Sequence, residues 1–374
     1  TSGWGTYKES GGACSLSTEN GRLALKISNV GKVNYAVQVF YDIIPLYKNG
    51  VYRLKYDISC STNRFVECMI QQNGGTYQAY TWKGLNLTNS PQSVDYTFTM
   101  EQDTDIMSKL VFNCGIQEAN MVGVACGLSA VGKIPFCHTF APFLARRAND
   151  QIFISACYAG ANIRLVGSDP GVMAAFNGGT HMPFEDVAAL RAFPELTIVE
   201  PTDSVMLVNL MDQLAKLQGV YYIRMARKPM AKVYQEGSDF TIGKGCVIRP
   251  GSDVTIVAAG IMVAEAMEAA ELLAADGISA RVVDMFTIKP IDEDLLTTCA
   301  QETGAIVTAE NHNIIGGLGS AVCETLGSNC PVPVERVGVK DRFGEVGPID
   351  YLKQVMGLTA QDIAVAAKKS ISRK

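Results

Sequence analysis

Glu118 stands where Gly115–Gln117 gives way to a run of small residues, Asn120–Ala130, interrupted at Gly132. An apolar stretch follows, Ile134–Phe136, ending at Cys137-His138-Thr139-Phe140, and Phe143 comes three residues on. The pattern predicts a helix that opens on an acid beside a strand that ends on aromatics. That is the crevice at the carboxyl ends of strands where open α/β sheets place ligands. A carboxylate at a helix start is already stabilised by the positive end of the helix dipole, so position alone assigns Glu118 no chemistry.

Other residues of chemical interest are few. The histidines are His138, His181 and His312, and their side chains are the ones that change charge near neutral pH. Arg224 and Arg227 close the apolar run at Tyr221–Pro229, and a guanidinium there can fork onto an anion. Glu185 and Asp186 follow Pro183 and read as acids of a first helical turn. Gly316–Ser320, GGLGS, has the glycines of a phosphate loop. It lacks the full G-x-G-x-x-G context and the acid about 20 residues beyond, so close strand-to-helix packing is the better reading.

The elements that would position these residues differ along the chain. Up to residue 114, short runs alternate apolar and polar residues: Leu23–Ile27, Tyr35–Phe40, Tyr52–Ile58, Phe65–Gln71, Gln78–Tyr80, Val94–Met100 and Lys109–Phe112. Turns rich in Asn, Gly and Ser separate them, which predicts an antiparallel sandwich. From Glu118 the pattern alternates strand and helix. Strands are expected at Ile134–Thr139, Ile163–Gly167, Leu196–Val199 and Val220–Met225, with helices at Phe143–Cys157, Phe184–Ala192 and Asp203–Leu217. Such alternation implies a parallel sheet with helices on both faces. Gln235–Asp253 is polar and glycine-bearing, and a domain boundary is placed there. Beyond it lie a strand at Val254–Gly260, a helix at Val263–Ala275, strands at Ala280–Phe286 and Ala305–Glu310, a strand at Pro333–Val339 and a helix at Tyr351–Ser370.

Composition narrows the field. The 374 residues carry a formal net charge of −5 and no basic run, which argues against a nucleic-acid binder. No apolar stretch reaches the roughly 18 residues that suggest a membrane span. The 11 cysteines are scattered without C-x-x-C or zinc spacing, which predicts reduced thiols and no metal site in this chain.

Taken in order, GIQEANMVGVACGL…GKIPFCHTFAPF, NGGTHMPFEDVAALRAFPELTIVEPTD, YYIRMARKP and AENHNIIGGLGSAV resemble transketolase in its split, two-subunit form, from about Gly115 to Lys374. The resemblance implies a pyrimidine-binding domain at 115–235, lacking its first strand and helix, and a C-terminal α/β domain at 250–374. It implies thiamine diphosphate as cofactor, with Glu118 hydrogen-bonded to the pyrimidine ring and Phe140 and Phe143 walling it. His181 would contact substrate oxygens and shuttle protons, His138 would line the pocket, and Arg227 would grip the sugar phosphate. Asn177 falls where many relatives have Asp in a GEDGPTH-like run, which leaves sugar selectivity at that position open. No Gly-Asp-Gly motif occurs, so Mg2+ and the diphosphate would be held by a separate N-terminal subunit. The implied reaction is two-carbon ketol transfer between sugar phosphates, in a cytoplasmic hetero-tetramer or a dimer of this chain, inert without its partner.

Trp4–Cys114, with NYAVQVFYDIIPLYKNGVYRLKYDIS, TYQAYTWKGLNLT and VDYTFTME, is similar to the jelly-roll carbohydrate-binding modules, though truncated before their last strand. Tyr80 and Trp82 share a face at period 2 and are the candidates to stack on sugar rings. The expected chain is thus a truncated all-β jelly-roll sandwich at 1–114 followed by two α/β domains with mostly parallel sheets, the two truncated patterns meeting near Asn113–Gly115. The alternatives are a carbohydrate-binding protein and a non-functional fusion. Within the class, the β-subunits of 2-oxo acid dehydrogenases and deoxyxylulose-phosphate synthase share the architecture.

Overall fold

A computed structural model describes residues 4–8, 12–19, 22–30, 37–59, 64–72, 78–112 and 118–374. The chain divides into two compact units, Thr1–Gln117 and Glu118–Lys374. The expected meeting point of the two sequence patterns, Asn113–Gly115, lies outside the described residues.

The first unit is all β. Its described strands are β1 (Trp4–Lys8), β2 (Gly12–Glu19), β3 (Arg22–Val30), β4 (Val37–Leu46), β5 (Val51–Ile58), β6 (Arg64–Gln71), β7 (Ala79–Leu87), β8 (Gln92–Thr99) and β9 (Asp105–Phe112). A five-stranded antiparallel sheet runs β1-β4-β9-β6-β7, and β2–β3 and β5–β8 form antiparallel pairs. Leu46 and the β6 residues Cys68 and Ile70 meet Met100 in a buried core, with Tyr52, Leu54, Tyr56 and Phe98 of β5 and β8 packed against it. Strict alternation along β5 gives it one inward and one outward face. β1 and β2 were not expected as strands; β1 is five residues with a glycine at its second position, and β2 carries few large apolar side chains to mark an alternation.

The second unit contains two sheets. Parallel strands β10 (Phe136–Phe140), β11 (Ile163–Ser168), β12 (Leu196–Val199) and β13 (Val220–Met225) lie in the order β10-β11-β13-β12. Every residue of β11 and β13 except Val166 and Met225 is buried, which is why these strands read as continuous apolar runs. The second sheet is ordered β14-β16-β15-β18-β19: β14 (Cys246–Arg249) is antiparallel, and β15 (Val254–Ala258), β16 (Ala280–Asp284), β18 (Ile306–Asn313) and β19 (Val334–Val339) are parallel. Between them β17 (Thr287–Lys289) returns to the first sheet and pairs antiparallel with β12. The division at 235–250 is therefore not a clean cut, because the later segment supplies an edge strand to the earlier sheet.

The helices are α1 (Glu118–Ala130), a single turn α2 (Asn149–Gln151), α3 (Asp186–Arg191), α4 (Ser204–Leu214), α5 (Met262–Ala275), α6 (Glu293–Thr303), α7 (Leu318–Asn329), α8 (Ile349–Met356) and α9 (Ala360–Ile371). Two expectations need correction. The segment expected as one α-helix over Phe143–Cys157 winds as π-helix at Phe143–Arg147 and Ile152–Tyr158, with α2 between; π-winding of this kind is often found at functional sites. The expected helix Tyr351–Ser370 is two helices, because Gly357 takes a left-handed conformation at φ 70°. Thr359 then caps α9 with a capping box to Asp362. The stripe foreseen on α5 is present, with Val263, Ala270 and Leu273 wholly buried and Met267 partly so.

Candidate functional site

The carboxyl ends of β10, β11 and β13 lie in one row, since Phe140 pairs with Ser168 and Ser168 with Met225. Residues just past those ends face a common crevice. Glu118, the first residue of α1, is 6% exposed. Its Oε2 accepts a hydrogen bond from Arg147 Nη1 at 2.8 Å, and its Oε1 accepts from the Thr139 hydroxyl at 3.3 Å. The Arg147 guanidinium lies 4.6 Å from the centre of the Phe143 ring, and Phe140, Phe143 and His181 meet edge to face at centroid distances of 4.9–6.0 Å. Arg227 stacks over Phe140 at 4.5 Å. Glu118, Phe140, Phe143, His181 and Arg227, far apart in sequence, form one contiguous cluster. It is a wall rather than an enclosed cavity, since the rings fill it.

His181 ends a short 3-10 turn, Gly179–His181, and its Nδ1 is 2.9 Å from the Thr180 hydroxyl. Desolvation, then the charges of Arg146 and Arg147, hold its pKa below the usual histidine value. The ring is thus neutral at pH 7. His138 is exposed at the edge of the cluster. Crowding by its neighbours, then the Arg227 charge, lower its pKa, and Asp169 opposes them. Asn177 is exposed at the end of a strained loop: Ala175 sits at φ 48°, ψ −117°, inside the turn Gly171–Asn177, a region that costs a residue with a Cβ about 1–3 kcal/mol. Gly178 and Gly179 hold that loop against the later segment, where a Cβ on Gly179 would meet the Gly344 carbonyl at 2.4 Å.

Three residues at this site carried no expectation. Arg146 and Arg147, in the π-turn after Phe143, reach Glu185 and Glu118 respectively. Asp169, just past β11, forks Arg227. The adjacent arginines after an aromatic strand end were a usable signal; Asp169-Pro170 read only as a turn.

Arg224 is excluded as a ligand-binding arginine. Its side chain is 0% exposed and bonds Asp186 through Nε (2.8 Å) and Nη2 (3.2 Å), Glu200 through Nη1 (2.6 Å) and the Asn311 carbonyl through Nη2 (2.7 Å). Asp186 is correspondingly not a helix-start acid in solvent but a buried counter-ion, also bonded by the Tyr222 hydroxyl at 2.7 Å. Burial would raise its pKa, and the Arg224 charge outweighs that and lowers it. The same interior holds Glu310, whose oxygens accept the Leu318 and Gly319 amides at 2.7 and 2.9 Å. The first amides of the helix after the GGLGS loop are therefore already taken by an internal carboxyl group, whose pKa burial lifts to about 7. A Cβ on Gly317 would lie 2.0 Å from Glu310, so the glycines serve packing. His312 is buried, its Nδ1 donating to the Asn313 carbonyl at 2.7 Å and its Nε2 accepting the Ala188 amide at 3.3 Å, and burial drives its pKa down to about 4; it is structural.

In the first unit, Tyr80 is half-buried against the core, and its hydroxyl donates to Asp105 at 2.8 Å. With Lys48, Gln72, Gln78, Glu101 and Asp103 it lines a polar cleft of about 560 Å³. Trp82 is 56% exposed on the same strand and lies outside that cleft. No group of three or more potential metal ligands occurs among the described residues, the described cysteines are free thiols, and no helix among those residues is long and apolar enough to cross a membrane.

An acid at the first turn of a helix, beside an aromatic cluster at the ends of parallel strands and followed by a second parallel sheet, places the second unit among the two-sheet α/β proteins with a site at the strand ends. Comparison with known proteins specifies it. The transketolase pyrimidine-binding domain matches residues 85–232 and the transketolase C-terminal domain residues 243–363. A carbohydrate-binding domain matches residues 1–119. The pyrimidine-domain match overlaps the β-sandwich, but strands β8 and β9 pair there with β5, β4 and β6. The chain is 54% identical over 260 residues to the 6-deoxy-6-sulfo-D-fructose transketolase subunit SqwH of Clostridium sp. (strain MSTE9), covering 70% of this chain and 81% of that protein. It is 39% identical over 256 residues to a putative transketolase C-terminal section of Methanocaldococcus jannaschii, covering 68% and 80%. A solved split-gene transketolase, an inactive beta4 tetramer, aligns with TM-score 0.66 and 46% identity over 70% of this chain and 84% of that one. The chain belongs to the transketolase family.

Proposed function

We propose that this chain is the pyrimidine-binding half of a split transketolase, transferring a two-carbon ketol unit between anionic sugars together with a separate diphosphate-binding subunit. The observation that carries this reading is Glu118: a buried carboxylate at a helix start, next to the Phe140–Phe143–His181 wall. The described residues fit one half of thiamine diphosphate. A flat apolar wall suits the aminopyrimidine, and Glu118 Oε1, held only by a long bond from Thr139, has lone-pair capacity for a ring nitrogen. Mg2+ and the diphosphate would be held by the partner subunit.

When bound, the cofactor supplies the carbon nucleophile. Glu118 would hold the pyrimidine ring nitrogen, a charge-assisted bond of the stronger kind. Phe140 and Phe143 would fix the ring plane and exclude water. His181, neutral and oriented by Thr180, would donate to and accept from substrate oxygens, with His138 and Asn177 at the rim. Arg227 would hold the anionic tail. The relatives' names support a partner: one is a transketolase subunit, and the split-gene beta4 tetramer that aligns with this chain is described as inactive. Free thiols fit a reducing, cytoplasmic setting. The test is to mix the chain with a diphosphate-binding transketolase subunit, thiamine diphosphate and Mg2+. Ketol transfer should appear in the mixture and in neither chain alone; none in any mixture refutes the reading.

A second reading concerns the first unit alone. Its polar cleft, lined by Tyr80, carboxylates and amides, has the donors and acceptors that sugar hydroxyls require, and it supports a glycan-binding role there.

A further inference from the structure

We propose that Asp169 is a positioning residue that sets the charge of the substrate tail, so that the site takes a ketose with a singly charged terminal group, such as a sulfonate, in preference to a doubly charged phosphate. The inference rests on the reading of Arg227 as the tail-binding residue.

Asp169 is 1% exposed. Its Oδ1 accepts the Arg227 backbone amide at 2.9 Å, and its Oδ2 accepts Nε at 2.9 Å and Nη2 at 2.5 Å. Its backbone is held at φ 51°, a left-handed conformation that Asp tolerates better than most residues, and its own amide donates to the Met225 carbonyl at 2.9 Å. The placement is thus built into the ends of β11 and β13. It holds the guanidinium over Phe140, 4.5 Å from the ring centre, through Nε and Nη2, so that Nη1 is the nitrogen available to a ligand. It also supplies one negative charge for the one positive charge of Arg227. The other arginines of the site are matched likewise, Arg146 by Glu185 and Arg147 by Glu118. An anion approaching Arg227 gains a directed N–H donor whose charge Asp169 already matches, and each additional negative charge on it meets the buried Asp169 carboxylate at close range. A sulfonate carries one charge at all working pH values. A phosphate monoester carries two above its second pKa of about 6.

The experiment uses the chain reconstituted with a diphosphate-binding subunit, thiamine diphosphate and Mg2+. It measures kcat/KM for a ketose phosphate and for its sulfonate counterpart at about pH 8 and about pH 5.5. Wild type should favour the sulfonate at the higher pH. The preference should narrow at least about fivefold at the lower pH, as the phosphate takes up its second proton. The ratio of two substrates on one enzyme cancels titrations that affect both, including those of His138 and His181, and the three arginines stay charged. Asp169→Asn should lower the sulfonate-to-phosphate ratio at the higher pH by about tenfold. The wild-type pH arm stands without any variant, so misfolding of Asp169→Asn leaves the proposal exposed to refutation. Transfer with a ratio that favours phosphate more as pH rises, or that does not move with pH or in the variant, overturns the proposal alone. No transfer from either tail overturns it together with the assignment of the reaction.

Discussion

Arg224→Met is the perturbation whose cost the structure defines best. The substitution removes four hydrogen bonds at 2.6–3.2 Å and the positive charge shared by Asp186 and Glu200. Asp186 keeps only the Tyr222 hydroxyl, and both carboxylates remain in the interior. Removing one partner of a buried ion pair costs about 3–5 kcal/mol, most of it the penalty of the charge left behind. For a unit of this size each kcal/mol moves the melting temperature by about 2–4 °C. Thermal denaturation followed by circular dichroism at about pH 7.5 should thus show a drop of about 6–20 °C. The defect should depend on pH. In wild type Arg224 holds the Asp186 pKa below the usual carboxylate value, so that contribution is complete above the unfolded pKa and is lost only in acid. In the variant the Arg224 charge no longer offsets burial, and the pKa rises against the weaker pull of the Tyr222 hydroxyl. The gap between the two proteins should widen as pH rises from about 5 to about 8. Melting within about 2 °C of wild type at both pH values would refute the network as a stabilising element.

Further outcomes follow from other residues. Asp284 is buried with Oδ1 unpartnered and Oδ2 taking the Thr202 and Tyr234 hydroxyls, and burial lifts its pKa to about 7. The folded state therefore favours its protonated form, and its contribution is lost as pH rises from the unfolded value through about 7. Asp284→Asn should gain on wild type by about 1–3 kcal/mol between pH 5 and 8 in denaturant titrations; an equal loss at both ends contradicts this. Tyr80→Ala should abolish retardation of the chain in polysaccharide affinity gels if the cleft of the first unit binds glycans, and unchanged migration of the variant on a retarding gel sinks that assignment.

The strands of the second unit were legible because burial on both faces leaves uninterrupted apolar runs; Leu196–Val199 and Val220–Met225 match residue for residue. The break at Gly357 was also legible, since glycine followed two residues later by Thr is a stop and a cap, but the apolar period carried across it and masked it. β14 was hidden in the polar linker because it is an edge strand with no wholly buried residue. At the site, Glu118, Phe140, Phe143, His181 and Arg227 were named through a family resemblance, and spacing alone could not join residues more than a hundred positions apart. The counter-ions Asp169, Asp186 and Glu310 were missed for a common reason. Asp186 lies at a helix start, Glu310 within the buried strand β18, and Asp169 beside a turn proline. At none of these places does the local sequence give a sign that the acid's partner is a distant arginine or another segment's amides.

The most direct test is the effect of Glu118→Gln on ketol transfer by the reconstituted two-subunit enzyme, with melting temperature measured in parallel. The account predicts a fall in kcat of about 10²–10⁴-fold with the fold retained. Turnover within about twofold of wild type, from a variant confirmed to be pure, would contradict it.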